Sequence, residues 1–255
     1  MHKDLKYFKS PFFTIAEWLS SIGCDEVLDK EARKFYGIRK LDEKQSMESP
    51  QDRKKITQNN YSLDNFKSIG DLKKFVKNKI INMEKNNLKG FIFNEGNISS
   101  DLMVIGDNPE TLDINNLKSF QGEVGFLLLA MLKAIDFDDN NTYFTNMFFC
   151  PYTKGKKPIL EDVLDNVNLV KKQVEIIQPK VIIMFGSITT QSLTGKREGI
   201  FTTRGNWYDI EIGNNAKVFP AISMYQPDYL LTRPDKKKEA WADLIEVKKK
   251  IDMKK

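Results

Sequence analysis

Residues 101–128, DLMVIGDNPETLDINNLKSFQGEVGFLL, decide the fold that we expect for this chain. They open with an apolar run, 102–105, that stops at Gly106, and such a run predicts a buried strand of a parallel sheet. A polar loop, the isolated Phe120 and an apolar helix that starts among glycines follow. Strand, loop, glycine and helix in this order are typical of a ligand site at the carboxyl end of a parallel strand.

The same alternation of strand and helix continues to the end of the chain. After the first strand, further strands are predicted at residues 142–149, 181–185 and 219–225. Helices are predicted between and after them, at residues 122–135, 159–177, 188–193 and 236–251. This pattern predicts an α/β fold, a three-layer α/β/α sandwich with a central four-stranded, mainly parallel sheet. Residues 207–212 are expected to form an additional β-arm.

The first third of the chain reads differently. Helical spacing of apolar residues predicts helices at 10–22 and 68–83, and the charged stretch 38–62 predicts an exposed linker. We therefore expect a helical extension over residues 1–86, with a polar linker around 38–62, and the α/β domain over residues 87–255.

Composition excludes several classes of protein. The chain has 255 residues with 40 Lys and Arg against 35 Asp and Glu, a mild positive excess that is compatible with a nucleic-acid partner. No apolar run is long enough to cross a membrane, and the N-terminus shows no signal-peptide pattern, so no membrane partner is expected. Cys24 and Cys150 alone predict no disulfide framework, which fits a reducing, cytoplasmic compartment.

The only histidine is His2, near the N-terminus. Its position argues against Ser/His/Asp triads, histidine-rich zinc sites and histidine acid–base pairs. Two cysteines cannot supply the four thiolates of an iron–sulfur cluster, so we expect no cofactor and no metal. Catalysis in this chain would depend on carboxylates, amides, lysines or backbone dipoles.

Three residues at the predicted strand ends are candidates for chemistry. Asp107 follows the first strand, where a carboxylate polarises a water or stabilises a cation; a turn cap is the commoner role of such an Asp. Phe120 is placed to stack on a flat ligand, although core packing is the simpler alternative. Asn146 ends the second strand, and its amide can read a base edge or tie loops together.

Three further regions are candidates for contacts with DNA. Residues 151–158 carry Lys154, Lys156 and Lys157 and suit phosphate contacts, or else form a solvated loop. Lys196, Arg197 and Arg204 surround two glycines. Near the C-terminus, Tyr229, Leu230 and Leu231 precede Arg233, and apolar residues there either wedge into a base stack or begin a buried helix.

Taken together, these loops resemble those of the uracil-DNA glycosylase superfamily, above all the bacterial family-4-type enzymes and their alphaproteobacterial relatives, over residues 87–251. The first motif of that family matches at Gly106, Pro109, Phe120, Gly122, Gly125, Leu127 and Leu128. The second motif matches at Tyr143, Thr145, Asn146, Cys150 and Pro158. RGNW, QPDYLLTRP and AWADL resemble its later motifs.

The resemblance implies an enzyme that hydrolyses the N-glycosidic bond of a uracil or related base flipped out of single- or double-stranded DNA. Phe120 would stack on the base and Asn146 would bind its edge, with Asn108 as a further substrate contact. Leu230 and Leu231 would lie on a loop that intercalates into DNA. We expect a monomer.

Departures from the family pattern concentrate at the same site. Gln226 replaces the motif histidine, and a Gln amide still donates to O2 of the base, but losing a strong oxyanion donor typically costs about a hundred- to thousand-fold in rate. Asp107 replaces a longer Glu, and Thr232 replaces an Arg. Leu117 and Ser119 alter the loop that presents Phe120. The alternatives to an active enzyme are a non-catalytic nucleic-acid-binding relative and a protein-interaction module.

Overall fold

The computed structural model describes residues 63–83, 90–150 and 160–254. The predicted helix at 10–22, the predicted linker at 38–62 and the lysines Lys154, Lys156 and Lys157 lie outside these ranges.

One sheet organises the described residues. Its strands are β1 (Glu95–Gly96), β2 (Leu102–Gly106), β3 (Thr142–Asn146), β4 (Val181–Phe185), β5 (Trp207–Ile212) and β6 (Lys217–Met224). They lie in the order β1-β3-β2-β4-β6-β5. The neighbours β3, β2, β4 and β6 are parallel, whereas β1 and β5 pair antiparallel at the two edges.

The predicted sheet of four strands is therefore wrong in number, because the described sheet has six. The four parallel strands correspond to the four predicted ones. The two edge strands are β5, which has the bounds of the predicted β-arm at 207–212, and β1. β1 has only two residues, too few for a pattern, and β5 alternates between exposed and buried positions near its end. Edge strands of this kind carry a weaker apolar signal than strands buried on both faces.

The helices of the described residues largely follow the predicted ones. They are α1 (Ile69–Met83), α2 (Thr111–Asn116), α3 (Gly122–Lys133), α4 (Leu160–Ile177), α5 (Gly186–Thr194), α6 (Ile200–Thr203), α7 (Pro227–Thr232) and α8 (Lys237–Asp252). Two short 3-10 turns accompany them, at Leu63–Asn65 and Pro234–Lys236.

The sheet has a hydrophobic core on each face, which gives the three layers. Met103 and Ile105 of β2 face one core, which also holds buried residues of α1 and α4. Leu102 and Val104 face the other core, together with residues of α3 and α8. Successive side chains of a strand point to opposite faces, so the uninterrupted apolar sequence of β2 is what burial on both faces requires.

Helix α1 belongs to the first of these cores. Its residues Ile69, Leu72 and Val76 are buried in the same cluster as Phe93 and Tyr143. Their spacing of three and four residues places them on one helix face. The proposed domain boundary after residue 86 stays a prediction, but the packing of α1 is continuous with the sheet.

This packing predicts that α1 unfolds together with the sheet. Leu72 is 0% exposed, so Leu72→Ala should lower the free energy of unfolding by about 3 kcal/mol, through lost burial and a residual cavity. Lys77→Ala, at an exposed position of the same helix, is the matched control and should change it little. Denaturant unfolding measures both. A loss below about 1 kcal/mol for Leu72→Ala would show that α1 adds little to the core.

Candidate active site

The carboxyl ends of the parallel strands meet at one edge of the sheet. β2 ends at Gly106 and β3 at Asn146, and these two residues are direct partners in the parallel register. β4 ends at Phe185, and β6 ends at Met224, two residues before Gln226. The loops that follow these strands are therefore brought together although the sequence separates them.

A glycine at the end of β2 allows the site to form. A Cβ at Gly106 would lie 2.8 Å from Cζ of Phe120 and would collide with Oδ1 of Asn146. Both side chains therefore rest directly on the backbone of Gly106. Asn146 is only 2% exposed, and its Nδ2 lies 3.5 Å from Oγ of Ser119, a long hydrogen bond.

The loop that carries Phe120 is fixed at several points. Asp113, which is buried, accepts hydrogen bonds from the backbone N–H groups of Glu110 at 2.9 Å and Gln121 at 2.7 Å. The backbone N–H of Ser119 donates to Oε1 of Glu95 at 2.7 Å. These contacts hold the residues on both sides of Phe120.

Phe120 itself has an unusual backbone. Its φ is 53°, a left-handed conformation that costs an L-residue about 1–2 kcal/mol. Its ring is half-buried and packs against Phe144 and Phe185, with ring centroids at 6.1 and 6.4 Å. The ring also lines the cavity described below. Phe120 therefore packs against the core and also lines the cavity.

Asp107 and Gln226 form a hydrogen-bonded pair. Nε2 of Gln226 donates to Oδ2 of Asp107, while the backbone N–H and the hydroxyl of Thr189 both donate to Oδ1 at 2.7 Å. Gly186, with a φ of 84°, lies against this pair, where a Cβ would collide with both side chains. Burial raises the pKa of Asp107 to about 6, although the two bonds from Thr189 act in the opposite direction.

These side chains line one open cavity of about 50 Å³. The volume is well below the roughly 300 Å³ of a pocket for a drug-sized ligand, so the cavity suits only a small ligand. Its wall is formed at and after the carboxyl ends of β2, β3, β4 and β6, and around α2 and the start of α3. The lining residues are Gly106, Asp107, Asn108, Glu110, Asp113, Phe120, Gln121, Val124, Asn146, Phe185, Gln226, Pro227 and Asp228.

The cavity offers many acceptors and little positive charge. Four of its lining residues are carboxylates, and none of the described ones is Lys or Arg. Asn108 donates through Nδ2 to the backbone oxygen of Pro109 at 3.1 Å, and its buried Oδ1 has no hydrogen-bond partner among the described residues. A ligand that donates a hydrogen bond would satisfy that oxygen.

A family comparison agrees with this arrangement. The model of the uracil DNA glycosylase superfamily matches residues 93–245, which include all six strands of the described sheet and the whole cavity wall. This chain belongs to the uracil-DNA glycosylase superfamily.

Individual relatives point to the same superfamily. A type-4 uracil-DNA glycosylase of Saccharolobus solfataricus is 30% identical over 200 residues, covering 75% of this chain and 89% of the relative. The type-4 enzyme of Archaeoglobus fulgidus is 28% identical over 157 residues, or 60% of this chain and 77% of that protein. A DNA polymerase of Bacillus phage SP01 is 27% identical over 141 residues, which make up 55% of this chain but 14% of the polymerase.

The superfamily's family-4-type members suggest an iron–sulfur cluster, but the residues of this chain do not fit one. Four thiolates are needed, and Cys24 and Cys150 are the only cysteines. Within the described ranges, no three His, Cys, Asp or Glu side chains are grouped to hold a metal ion. The absence of a cofactor stays a prediction.

No described helix is long and apolar enough to cross a membrane.

The structure changes the expected roles of two residues outside the cavity. Leu230 is 0% exposed and packs with Tyr225 and Ala240, so the expectation that it projects from an exposed loop is wrong. Leu230 instead lies in a helix, α7, as a buried residue, which was the alternative interpretation of this segment. Arg204 donates to both carboxylate oxygens of Asp243, at 2.8 and 3.0 Å, and a phosphate contact would compete with this internal ion pair.

The other predicted DNA contacts lie at the surface. Tyr229 and Leu231 are half-buried, and Arg233 forms an exposed ion pair with Asp235 at 3.0 Å. Their contacts with DNA stay predictions.

Sequence reasoning missed Thr189 and Gly186. Thr189 lies 82 residues from Asp107 in the chain, and nothing in its own segment marks it as a partner of a carboxylate. A weak signal existed for Gly186, since a glycine directly after a buried strand is common at sites where groups approach closely.

The raised pKa of Asp107 predicts a pH-dependent stability. The folded protein holds this proton more tightly than the unfolded chain, so the stabilisation is present below pH 4 and is lost as the pH rises through 6. The unfolding free energy of the wild type, relative to Asp107→Asn, should fall by about 2–3 kcal/mol from pH 4 to pH 7.

Denaturant midpoints of the two proteins across this range measure the difference, and any constant offset from the substitution cancels. Asp243, whose pKa burial also raises to about 6, is present in both proteins. A difference that does not vary with pH would contradict the raised pKa of Asp107.

Proposed function

We propose that this chain is a DNA glycosylase that hydrolyses the N-glycosidic bond of a uracil or related base flipped out of single- or double-stranded DNA. The observation that carries the proposal is the meeting of Phe120, Asn146, Asp107 and Gln226 around one small open cavity. The names of the type-4 relatives support the same reaction. We expect it to act as a monomer in the cytoplasm.

Two residues of the cavity wall would bind the base. Phe120 would stack on it, and its left-handed backbone, held on both sides, would limit the entropy lost on binding. The buried amide of Asn146 would offer one acceptor and one donor to the edge of the base, which would match the N3–H and O4 groups of uracil.

Bond cleavage would be assisted by Gln226 and Asp107. When the C1′–N bond breaks, the base keeps the electron pair and the sugar becomes a cation, which water then attacks. Nε2 of Gln226 has two hydrogens; Asp107 accepts one, and the other is available to O2 of the leaving base. The Asp107 carboxylate, largely ionised above pH 6, would stabilise the sugar cation and position the water.

The same arrangement predicts a slow enzyme. An amide is a weaker donor than the motif histidine, and here it is shared with Asp107. The carboxylates Asp107, Glu110 and Asp228 also line the cavity, and their charge would repel an anionic leaving base. This observation favours a second candidate function, a relative that binds DNA and has lost its chemistry.

A base-release assay separates these functions. Oligonucleotides that contain one uracil, single- or double-stranded, are incubated with excess protein, and abasic sites are revealed by alkaline cleavage. We expect release by the wild type and a loss of about 100-fold or more in Asn146→Ala, because the base loses its paired hydrogen bonds. Asn140→Ala, an exposed asparagine beyond the opposite end of β3, is the matched control and should retain the wild-type rate.

Three results would reject the enzyme. Equal release by the wild type and Asn146→Ala would remove Asn146 from the reaction and point to a contaminating activity. Salt-sensitive binding without release would favour the DNA-binding relative. If the protein neither releases the base nor binds DNA, the protein-interaction module is the remaining candidate.

A further inference from the structure

An exposed aromatic side chain packs on the segment that follows β6, and the proposed reaction does not use it. Phe201 on α6 is 70% exposed. Its ring lies 5.7 Å from that of Tyr229 in a T-shaped contact and 6.0 Å from that of Tyr225. The two tyrosine rings are 5.0 Å apart. We call Phe201, Tyr225 and Tyr229 the aromatic ridge.

Hydrogen bonds anchor the ridge to neighbouring elements. Tyr225 is 3% exposed, and its hydroxyl donates to Oε2 of Glu239 at 3.3 Å. The backbone N–H of Ile200, next to Phe201, donates to Oγ of Ser187 at 3.0 Å. An aromatic ring that is already fixed loses little conformational entropy when a partner stacks on it.

The ridge also adjoins the cavity along the chain. Tyr225 directly precedes Gln226, and Tyr229 directly follows Asp228, while Gln226, Pro227 and Asp228 line the cavity. A DNA strand whose flipped base enters the cavity would therefore come close to this segment.

Cations lie at and near the ridge. The guanidinium carbon of Arg204 lies 5.6 Å from the centre of the Tyr225 ring. Lys196 and Arg233 are exposed in the segments next to α6 and α7, the helices that carry Phe201 and Tyr229. The ion pair of Arg233 with Asp235 is exposed, and such pairs exchange readily for other partners. Aromatic rings among exposed cations are the recurring surface for unpaired nucleic-acid strands.

We propose that Phe201, supported by Tyr229, is a stacking platform for an unpaired base of the DNA strand next to the flipped nucleotide. The proposal rests on the proposed function, since it takes DNA as the partner, and it adds a preference for single-stranded or locally unpaired DNA. Stacking tolerates every base, so the platform fixes the strand without reading its sequence.

Binding to an oligonucleotide without uracil tests the platform separately from base release. Fluorescence anisotropy at low salt compares the wild type with Phe201→Ala, Phe201→Trp and Phe126→Ala on a labelled single strand. Phe126 on α3 is 76% exposed, so Phe126→Ala is the matched control, which removes an exposed ring at another place. We expect affinity about 5- to 100-fold lower for Phe201→Ala, and wild-type affinity for Phe201→Trp and Phe126→Ala.

Thermal unfolding of each variant checks that the fold is kept. Unchanged affinity in Phe201→Ala, an equal loss in Phe126→Ala, or no binding by the wild type would each overturn the platform, whatever the base-release assay shows. Binding that depends on Phe201 in a protein that releases no base would instead uphold the platform and reject the glycosylase.

Discussion

The close approach at Gly106 is the constraint on which the site depends. β2 and β3 end in register, so Gly106 and Asn146 lie side by side, and only the missing side chain at Gly106 lets the Phe120 ring and the Asn146 amide meet above the sheet. The left-handed backbone at Phe120 and the hydrogen bonds of Asp113 then hold the ring in place. A parallel sheet and one glycine thus convert distant residues into one cavity wall.

Much of the fold was predictable because its parallel strands are buried on both faces. β4 has the predicted bounds, 181–185, since five successive apolar residues between polar segments strongly favour a buried strand in an α/β pattern. The edges gave weaker signals. The predicted β-arm at 207–212 has the bounds of β5, but β1, with two residues, is too short for a pattern. Leu230 belongs to a segment whose apolar residues suit a buried helix and an exposed loop equally well, so only tertiary packing decides.

The candidate site was also predictable only in part. Phe120, Asn146, Asp107 and Gln226 were predictable because each follows a strand or matches a family motif, and the structure brings them to one cavity. The contacts that bind these residues to one another and to the rest of the fold were not predictable. The contact between Asp107 and Gln226 spans 119 residues, and the ion pair of Arg204 with Asp243 spans 39, and neither has a local sequence signal. The acidic wall, which argues for slow chemistry, also emerges only in three dimensions.

The most direct test of the base pocket is a crystal structure of the protein soaked with free uracil at millimolar concentration. We expect electron density for one ring stacked on Phe120, with its N3–H and O4 edge within hydrogen-bond distance of the Asn146 amide. A ring bound elsewhere, or an Asn146 amide turned away from the bound base, would contradict the proposed pocket.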